Sequence, residues 1–291
     1  MNSPTETFEQ HRGLLFGIAY RMLGSAMEAE DMVQETYLRY QSVAQEAIES
    51  PRAFLSTVVT RLCLDQLKSA QSKREDYYGT WLPEPIPTDG GKSPAQVMGD
   101  LESLSFAIMV LLEKLSPVER AVFLLREVFD YDYAEISGIV QKEEATCRQI
   151  LSRAKRHIHA NRPRFESSRE EHDQIFGQFV QAIQVGDLSG LMNLLSDDVA
   201  SWSDGGGKRT AATRVIEGAE RVAKFFVGLA HRGEGSYYIE IREINGRSAV
   251  LIYGNDGTLF SVINFDISGG KIHAIRSVLN PDKLKAIEET P

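Results

Sequence analysis

Six cationic side chains lie between residues 148 and 164 (Arg148, Arg153, Lys155, Arg156, Arg162 and Arg164), with no Asp or Glu among them. Cations at helical spacing neutralise phosphates and reach guanine edges, and Gln149 in their midst can pair with adenine. The chemistry is nucleic-acid recognition, and it needs a helix whose opposite side is packed. Cys147, Ile150, Leu151, Ala154 and Ile158 supply that side, recurring at i, i+3, i+4, i+7 and i+11 as one apolar stripe. Thr146, Gln149, Arg153 and Arg156 then form one outward row, and Arg148, Ser152, Lys155 and His159 the next. The bland alternative is a solvated basic helix on an ordinary bundle.

The elements that must position this helix lie upstream. Tyr133, Ile136, Ile139 and Val140 read as a short helix joined to the basic one by a tight turn, so Asp132 to Ile158 is a helix-turn-helix suited to the DNA major groove. Leu115-Ser116-Pro117-Val118-Glu119-Arg120 is a helix start, with Ser116 as N-cap, Pro117 at the first position and Glu119 closing a capping box. Val118, Val122, Leu125 and Val128 continue an inward stripe from there.

Earlier still, Leu14, Leu15, Ile18, Ala19 and Met22 predict a helix over residues 8–23 that stops at Gly24. Ser25 caps a second helix, loaded with Glu28, Glu30 and Asp31 near its start as the helix dipole prefers. Met32, Val33, Tyr37 and Leu38 are expected on its inward side, leaving Asp31, Gln34 and Glu35 outside. Ser50-Pro51 opens a third helix from Arg52 to about Ser72, with Arg61, Asp65, Lys68 and Ser69 on its outer face. Trp81-Leu82-Pro83-Glu84-Pro85-Ile86-Pro87 cannot be helix or strand interior, because three prolines remove donors and force extended backbone. It reads as a linker whose two large apolar residues, Trp81 and Leu82, must dock on something. Helices are expected to resume from about Pro94.

Beyond His172 the texture changes. Ile175, Phe176, Phe179, Val180 and Ile183 predict an amphipathic helix, and residues 188–195 another helical segment. Residues 237–242, 249–253, 259–265 and 272–276 are β-rich, with turn signals at Asn245-Gly246, Asn255-Asp256-Gly257 and Gly269-Gly270. An α+β half is expected, helices first and then an antiparallel meander that curls round them.

Composition bounds what these parts can do. At 291 residues, 42% hydrophobic and 25% charged, the sequence has the balance of an ordinary soluble protein with two or three domains. The apolar runs are too short to cross a bilayer and residues 1–8 lack the shape of a signal peptide, so a cytoplasmic protein without a membrane partner is expected. Cys63 and Cys147 fall on helix faces in different domains, which argues against a disulfide or a metal site. A net charge of −9 argues against a freestanding DNA binder, so the basic ridge must act locally, after docking on a larger machine.

Other constellations carry less. His157 and His159 are two apart on a helix and cannot share a ligand. Asp204-Gly205-Gly206-Gly207-Lys208 lacks the spacing of a nucleotide loop and the following Ser or Thr, so it reads as a hairpin or contact loop.

Three features coincide: a helical N-terminal unit with an acidic second helix, a basic third helix, and a helix-turn-helix opened by Leu-Ser-Pro-Val-Glu-Arg. Together they resemble the bacterial extracytoplasmic-function (ECF) sigma factors of RNA polymerase over roughly the first 165 residues. The string from Gly24 to Tyr37 is similar to the family's segment for the polymerase β′ clamp, and Ser50 to Arg74 to its −10 recognition segment. The linker Trp81-Leu82-Pro83-Glu84-Pro85, the loop Asp204-Gly205-Gly206-Gly207-Lys208 and Asn280-Pro281-Asp282-Lys283 resemble marks of the SigJ-like group, which carries a fused SnoaL-like domain.

The resemblance implies a multidomain protein: region 2 at residues 1–76, a linker at 77–97, region 4 at 98–164, and an α+β cone at 165–291. It implies core polymerase (β′ clamp and β flap) and promoter DNA as partners, no cofactor and no catalysis. Asp31, Gln34, Glu35 and Leu38 would meet polymerase. Arg148, Gln149, Ser152, Arg153 and Arg156 would read the −35 element, and Arg52, Arg61, Asp65, Lys68 and Ser69 the −10 element. The linker, the glycine loop and the Asn280 segment would form an interdomain regulatory contact. The rival reading is that the SnoaL-like domain senses a small molecule or is a residual cyclase or isomerase, for which Asp204, Asp256 and His273 are the residues available. A plain helix-turn-helix repressor would leave the acidic helix unexplained.

Overall fold

Helix starts follow local capping chemistry, and the computed structural model describes them within residues 3–44, 48–75, 77–88, 105–161, 168–233 and 235–288. Ser3 and Glu6 form a capping box that starts α1 (Pro4–Leu23), and Gly24 ends it in the left-handed conformation at φ 71°, its N–H donating to the Tyr20 carbonyl. Ser25 caps α2 (Ala26–Gln41) and Pro51 begins α3 (Pro51–Glu75). After α4 (Phe106–Leu112), Ser116 and Glu119 close the expected capping box on α5 (Pro117–Glu127). Asp132 and Glu135 do the same for α6 (Tyr133–Val140), and α7 (Glu144–Asn161) follows a turn in which Gln141 takes φ 55°. The expected helix start at Pro94 lies outside the described residues, as do Arg162 and Arg164.

The chain divides into two units, residues 1–76 with 90–162, and residues 77–89 with 163–291. The linker therefore does not stand by itself: its first part belongs to the second unit.

In the first unit, one cation joins three elements. Arg120 on α5 is 2% exposed, and its Nη1 donates to the Met22 carbonyl at the end of α1 and to Glu113 just past α4, each at 2.6 Å. Removing one partner of a buried pair strands the other, at a cost of about 3–5 kcal/mol. We expect Arg120→Ala to lower the melting temperature by about 10 °C. Arg39→Ala, which breaks the exposed Arg39–Glu35 pair, should barely move it. Calorimetry of the two variants checks the contrast, and equal shifts would contradict it.

The second unit starts with α8 (Arg169–Val185) and α9 (Leu188–Leu194), separated by Gly186 at φ 68°. Then come β1 (Leu195–Asp204), β2 (Ile216–Glu217) and α10 (Ala219–Gly233). The four expected strands follow as β3 (Tyr237–Ile244), β4 (Arg247–Gly254), β5 (Leu259–Ser268) and β6 (Lys271–Val278). A short 3-10 turn (Pro281–Lys283) and α11 (Lys285–Glu288) complete the described chain. Asn245 and Gly246 link β3 to β4 with φ 52° and 76°, and Gly269 and Gly270 link β5 to β6 with 55° and 72°, both signatures of tight hairpin turns.

The sheet order is β2-β1-β6-β5-β4-β3. β3 to β6 form the antiparallel meander, but the whole sheet is mixed, because β1 runs parallel to β6. The expected meander is β3 to β6; β1, β2 and the α10 that follows them were not expected. Parallel pairing needs a long crossover between the partners, here the chain from β1 through β5, and no turn signal announces it. Phe176 and Phe179 from α8, Phe226 from α10 and Phe265 from β5 form the aromatic centre of the core against the inner face, with ring centroids 5.0–5.8 Å apart.

Candidate nucleic-acid interface and linker clasp

α7 presents its two sides as the spacing requires. Cys147, Leu151, Ala154 and Ile158 are buried and Ile150 half-buried, while Arg148, Gln149, Ser152, Arg153 and Arg156 are exposed. Arg148 pairs with Glu144 at 2.8 Å and stacks 4.6 Å from the Tyr133 ring, which aligns α7 with α6. Lys155 is tied to Glu127 at 2.6 Å. The ridge that faces solvent is thus Gln149, Ser152, Arg153 and Arg156, a groove-sized row with two long cations.

The five candidates around α3 divide into two groups. Asp65, Lys68 and Ser69 are exposed, with Lys68 on Asp65 at 3.0 Å. Arg52 and Arg61 are engaged. Arg52 donates to the Phe129 carbonyl at 3.1 Å and lies 4.6 Å over the Tyr131 ring. Arg61 donates to the Ile139 and Gly138 carbonyls at 3.1 and 2.7 Å, where α6 runs out of helical partners for its last oxygens. Tyr131 completes the seam with a 2.5 Å hydrogen bond to Ser56. Helical periodicity places both arginines outside α3 but does not reveal that these carbonyls lie opposite.

On α2, Asp31 and Gln34 are exposed and Glu35 is half-buried in its pair with Arg39. Leu38 corrects the expectation that it packs inward: it is 59% exposed. Val33, Thr36 and Tyr40 fill the inward side, which leaves Leu38 with Asp31 and Gln34 on the outer face. Cys63 and Cys147 are buried thiols, and burial pushes both above their ordinary range.

The three segments assigned to an interdomain contact meet inside the second unit. Asp204 at the end of β1 is fully buried. Its carboxylate accepts from the Tyr77 hydroxyl at 2.6 Å, the Leu82 N–H at 2.9 Å, the Lys283 ammonium at 2.7 Å and the Gly206 N–H at 3.1 Å. Lys283 also donates to the Leu82 carbonyl at 2.5 Å and lies 4.2 Å from the Trp81 ring centroid and 5.0 Å from that of Tyr77. Asn280 donates to the Tyr77 oxygen at 2.9 Å, and Lys208 pairs with Asp282 at 2.5 Å. Burial and the adjacent Asp204 carboxylate push the Tyr77 hydroxyl well above its usual range, so it stays a donor.

The glycines of the loop have a steric cause. At Gly206, with φ 58°, a Cβ would run into the Asn280 amide, and at Gly205 into the Arg209 carbonyl.

A second anchor holds the other end of the linker. The Ile86 N–H donates to the Asn245 side chain at 3.1 Å, the Asn245 N–H to the Ile86 carbonyl at 2.9 Å, and the Thr88 N–H to the Glu243 carbonyl at 2.9 Å. Pro87 bridges Ile244, so the linker extends the open edge of β3. Leu82, Pro83, Glu84, Pro85 and Ile86 are all buried. Sequence reading missed Tyr77 and Asn245; the doubled tyrosine before Trp81 was the available signal for the first.

Of the residues available to an enzyme, Asp204 is committed to the clasp. Asp256 is an exposed turn carboxylate, held below its usual range by the Thr258 N–H. His273 lies on β6 beside the Ser268 carbonyl.

Family models for Sigma-70 region 2 and Sigma-70 region 4 match residues 7–73 and 105–158. The chain is 35% identical over 286 residues to the ECF RNA polymerase sigma factor SigJ of Mycobacterium tuberculosis, covering 95% of this chain and 91% of that protein. This chain belongs to the ECF sigma factors. A probable ECF RNA polymerase sigma factor of the same organism, SigI, is 33% identical with coverage of 94% and 92%. The crystal structure of M. tuberculosis SigJ superposes with a TM-score of 0.78 at 32% identity, covering 98% of this chain and 99% of that one.

The sigma factor therefore acts in promoter-specific transcription initiation, with RNA polymerase and promoter DNA as partners. Two helical sigma regions are followed by a SnoaL-like α+β domain. Among the described residues no helix is long and apolar enough to cross a membrane.

Proposed function

We propose that this sigma factor is regulated in cis by its SnoaL-like domain, which restrains region 2 and region 4 by holding the segment between them. The observation that carries the reading is the Asp204 carboxylate, which accepts from Tyr77, Leu82 and Lys283 at once. Residues 77–89 lie between the two sigma regions, and fully extended they would span about 45 Å. Clasped at both ends, that reach is withheld. Because the domain is covalently attached, its effective concentration is high and a modest contact suffices.

In this reading α7 reads the −35 duplex through Gln149, Ser152, Arg153 and Arg156, with Arg148 alongside, and region 4 meets the polymerase β flap. Arg52, Arg61, Asp65, Lys68 and Ser69 serve the −10 element, where capture of a flipped base restores part of the lost stacking. Arg52 and Arg61 first have to leave the carbonyls of Phe129, Gly138 and Ile139. Asp31, Gln34, Glu35 and Leu38 dock on the β′ clamp. In this reading the protein acts by recognition and not by catalysis.

Runoff transcription with core polymerase tests the cis regulation. Full-length protein carrying Trp81→Ala and Leu82→Ala is expected to change promoter-directed transcript at least fivefold from the parent, since both anchor residues leave the clasp. Equal transcript from parent and variant would sink the proposal.

A further inference from the structure

The first turn of α8 holds a histidine where a positive charge is hard to keep. His172 is 2% exposed, its ring stacks on that of Phe176 at 6.2 Å, and neither ring nitrogen reaches a hydrogen-bond partner among the described residues. The Asp173 carboxylate stands 3.6 Å from Nδ1 but already accepts from the Ser248 hydroxyl at 2.7 Å. Burial, and then Arg247 on β4, hold the imidazole below the ordinary histidine range, against smaller pulls from Asp173 on α8 and the Phe265 carbonyl on β5. The helix dipole opposes a cation at this end as well. The other charged groups of this corner are engaged: Arg169 pairs with Glu243 on β3, and Glu171 accepts from the Gly270 N–H of the β5–β6 turn at 2.7 Å.

The same corner carries the second anchor of the linker. The β3–β4 hairpin is gripped from two sides, and Glu243 is common to both. Its Oε2 pairs with Arg169 of α8, and its Oε1 accepts from the Thr88 hydroxyl of the linker at 2.8 Å. Ser248 adds its bond to Asp173 on the α8 side. On the linker side, the Gly246 N–H donates to the Thr88 hydroxyl oxygen at 3.0 Å, and Ile86 exchanges two hydrogen bonds with Asn245.

We propose that His172 is an acid-sensing trigger for this second anchor: when it takes up a proton, the start of α8 withdraws from the β3–β4 hairpin and residues 86–88 come loose, while the Asp204 clasp stays closed. A buried imidazolium beside a guanidinium, with no carboxylate of its own, cannot keep its place. Moving it toward water pulls Arg169 off Glu243 and Asp173 off Ser248, and Glu243 then no longer holds Thr88 in position. The sign follows from proton linkage. Above about pH 7 the ring is neutral whether the corner is open or closed, and the anchor is unaffected. As pH falls below the ordinary histidine value of about 6.5, the open form binds the proton first, so opening grows until the lowered value of the closed form is passed. The regulatory meaning of the opening rests on the cis-regulation reading, which the runoff experiment decides; the opening itself is measured without polymerase.

Amide hydrogen exchange of the full chain at about pH 7.5 and about pH 5.5, each corrected for the intrinsic rate, tests the trigger. The N–H groups of Ile86, Thr88, Asn245 and Gly246 should lose protection at least threefold at the lower pH, below a ceiling of about tenfold set by one pH unit of linkage. The Leu82 N–H, anchored on Asp204, should stay within twofold. His172→Phe keeps the ring stack but cannot titrate and should abolish the loss, and His172→Gln should do the same without the added bulk. His231→Gln with His273→Gln, which removes the other two histidines beyond residue 163, should leave the loss intact. In the parent, the His172 Cε1–H resonance should titrate below the ordinary range. Equal loss at Leu82, an unchanged second anchor, a loss that persists in the His172 variants or vanishes in the His231 and His273 protein, or a His172 midpoint near 6.5 overturns the trigger.

Discussion

Asp204→Ala is expected to lower the melting temperature of the C-terminal unit by about 10 °C, the larger of two stability effects at the clasp. The carboxylate is fully buried and lies 2.7 Å from an ammonium that is itself 12% exposed. Breaking a buried pair from one side costs about 3–5 kcal/mol, since the stranded charge keeps its desolvation penalty. Here the loss is compounded, because the Tyr77 hydroxyl and the Leu82 N–H lose their acceptor together. Lys283→Met should cost less, because the Asp204 carboxylate that it strands keeps its Tyr77, Leu82 and Gly206 donors, and a methionine can cover the Trp81 and Tyr77 rings. The double substitution should then be milder than the sum of the two, the mark of direct coupling. Calorimetry of the four proteins decides it: an Asp204→Ala protein melting within about 2 °C of the parent would remove the clasp as a structural element.

The second large effect belongs to DNA. Arg153→Ala with Arg156→Ala is expected to reduce promoter-directed runoff at least thirtyfold, taking about 1 kcal/mol for each lost base or phosphate contact. The logarithmic dependence of DNA binding on salt should also become shallower, by roughly one unit for each phosphate contact removed. Both side chains are exposed on a helix whose other face is packed, so folding should be untouched. Copurification with core polymerase should persist, which separates lost promoter contact from lost assembly. Transcript equal to that of the parent would show that this ridge does not read the promoter.

Much of the helical half is legible in the chain because its signals are local. Ser116 and Glu119, three apart, meet in the capping box that their types predict. Cys147, Leu151, Ala154 and Ile158 are buried because 3.6 residues per turn leaves no alternative. Leu38 failed for a related reason: Val33, Thr36 and Tyr40 already fill the inward side of α2, and a leucine beyond that arc turns outward.

β1 was not legible. Its sequence, Leu-Ser-Asp-Asp-Val-Ala-Ser-Trp-Ser-Asp, shows no strand-like run of β-branched residues, yet Ser201, Ser203 and Asp204 are buried in it. The clasp was half legible. Its three segments could be named as one contact, but Tyr77, the carbonyls that hold Arg52 and Arg61, and the double use of the Asn245 turn are set by tertiary neighbours far away in sequence.

That sequence distance has a temporal side. Tyr77 and Asn280 are 203 residues apart and Leu82 and Lys283 are 201 apart. During synthesis, therefore, both DNA-reading regions have been translated before the lysine that fastens the segment between them. At about 5–20 residues per second, the newborn chain spends on the order of ten seconds with region 4 made and no lysine to lock its tether. A chain built this way leaves the ribosome with its clasp fitted last, so the segment between the two sigma regions exists first in the unfastened form.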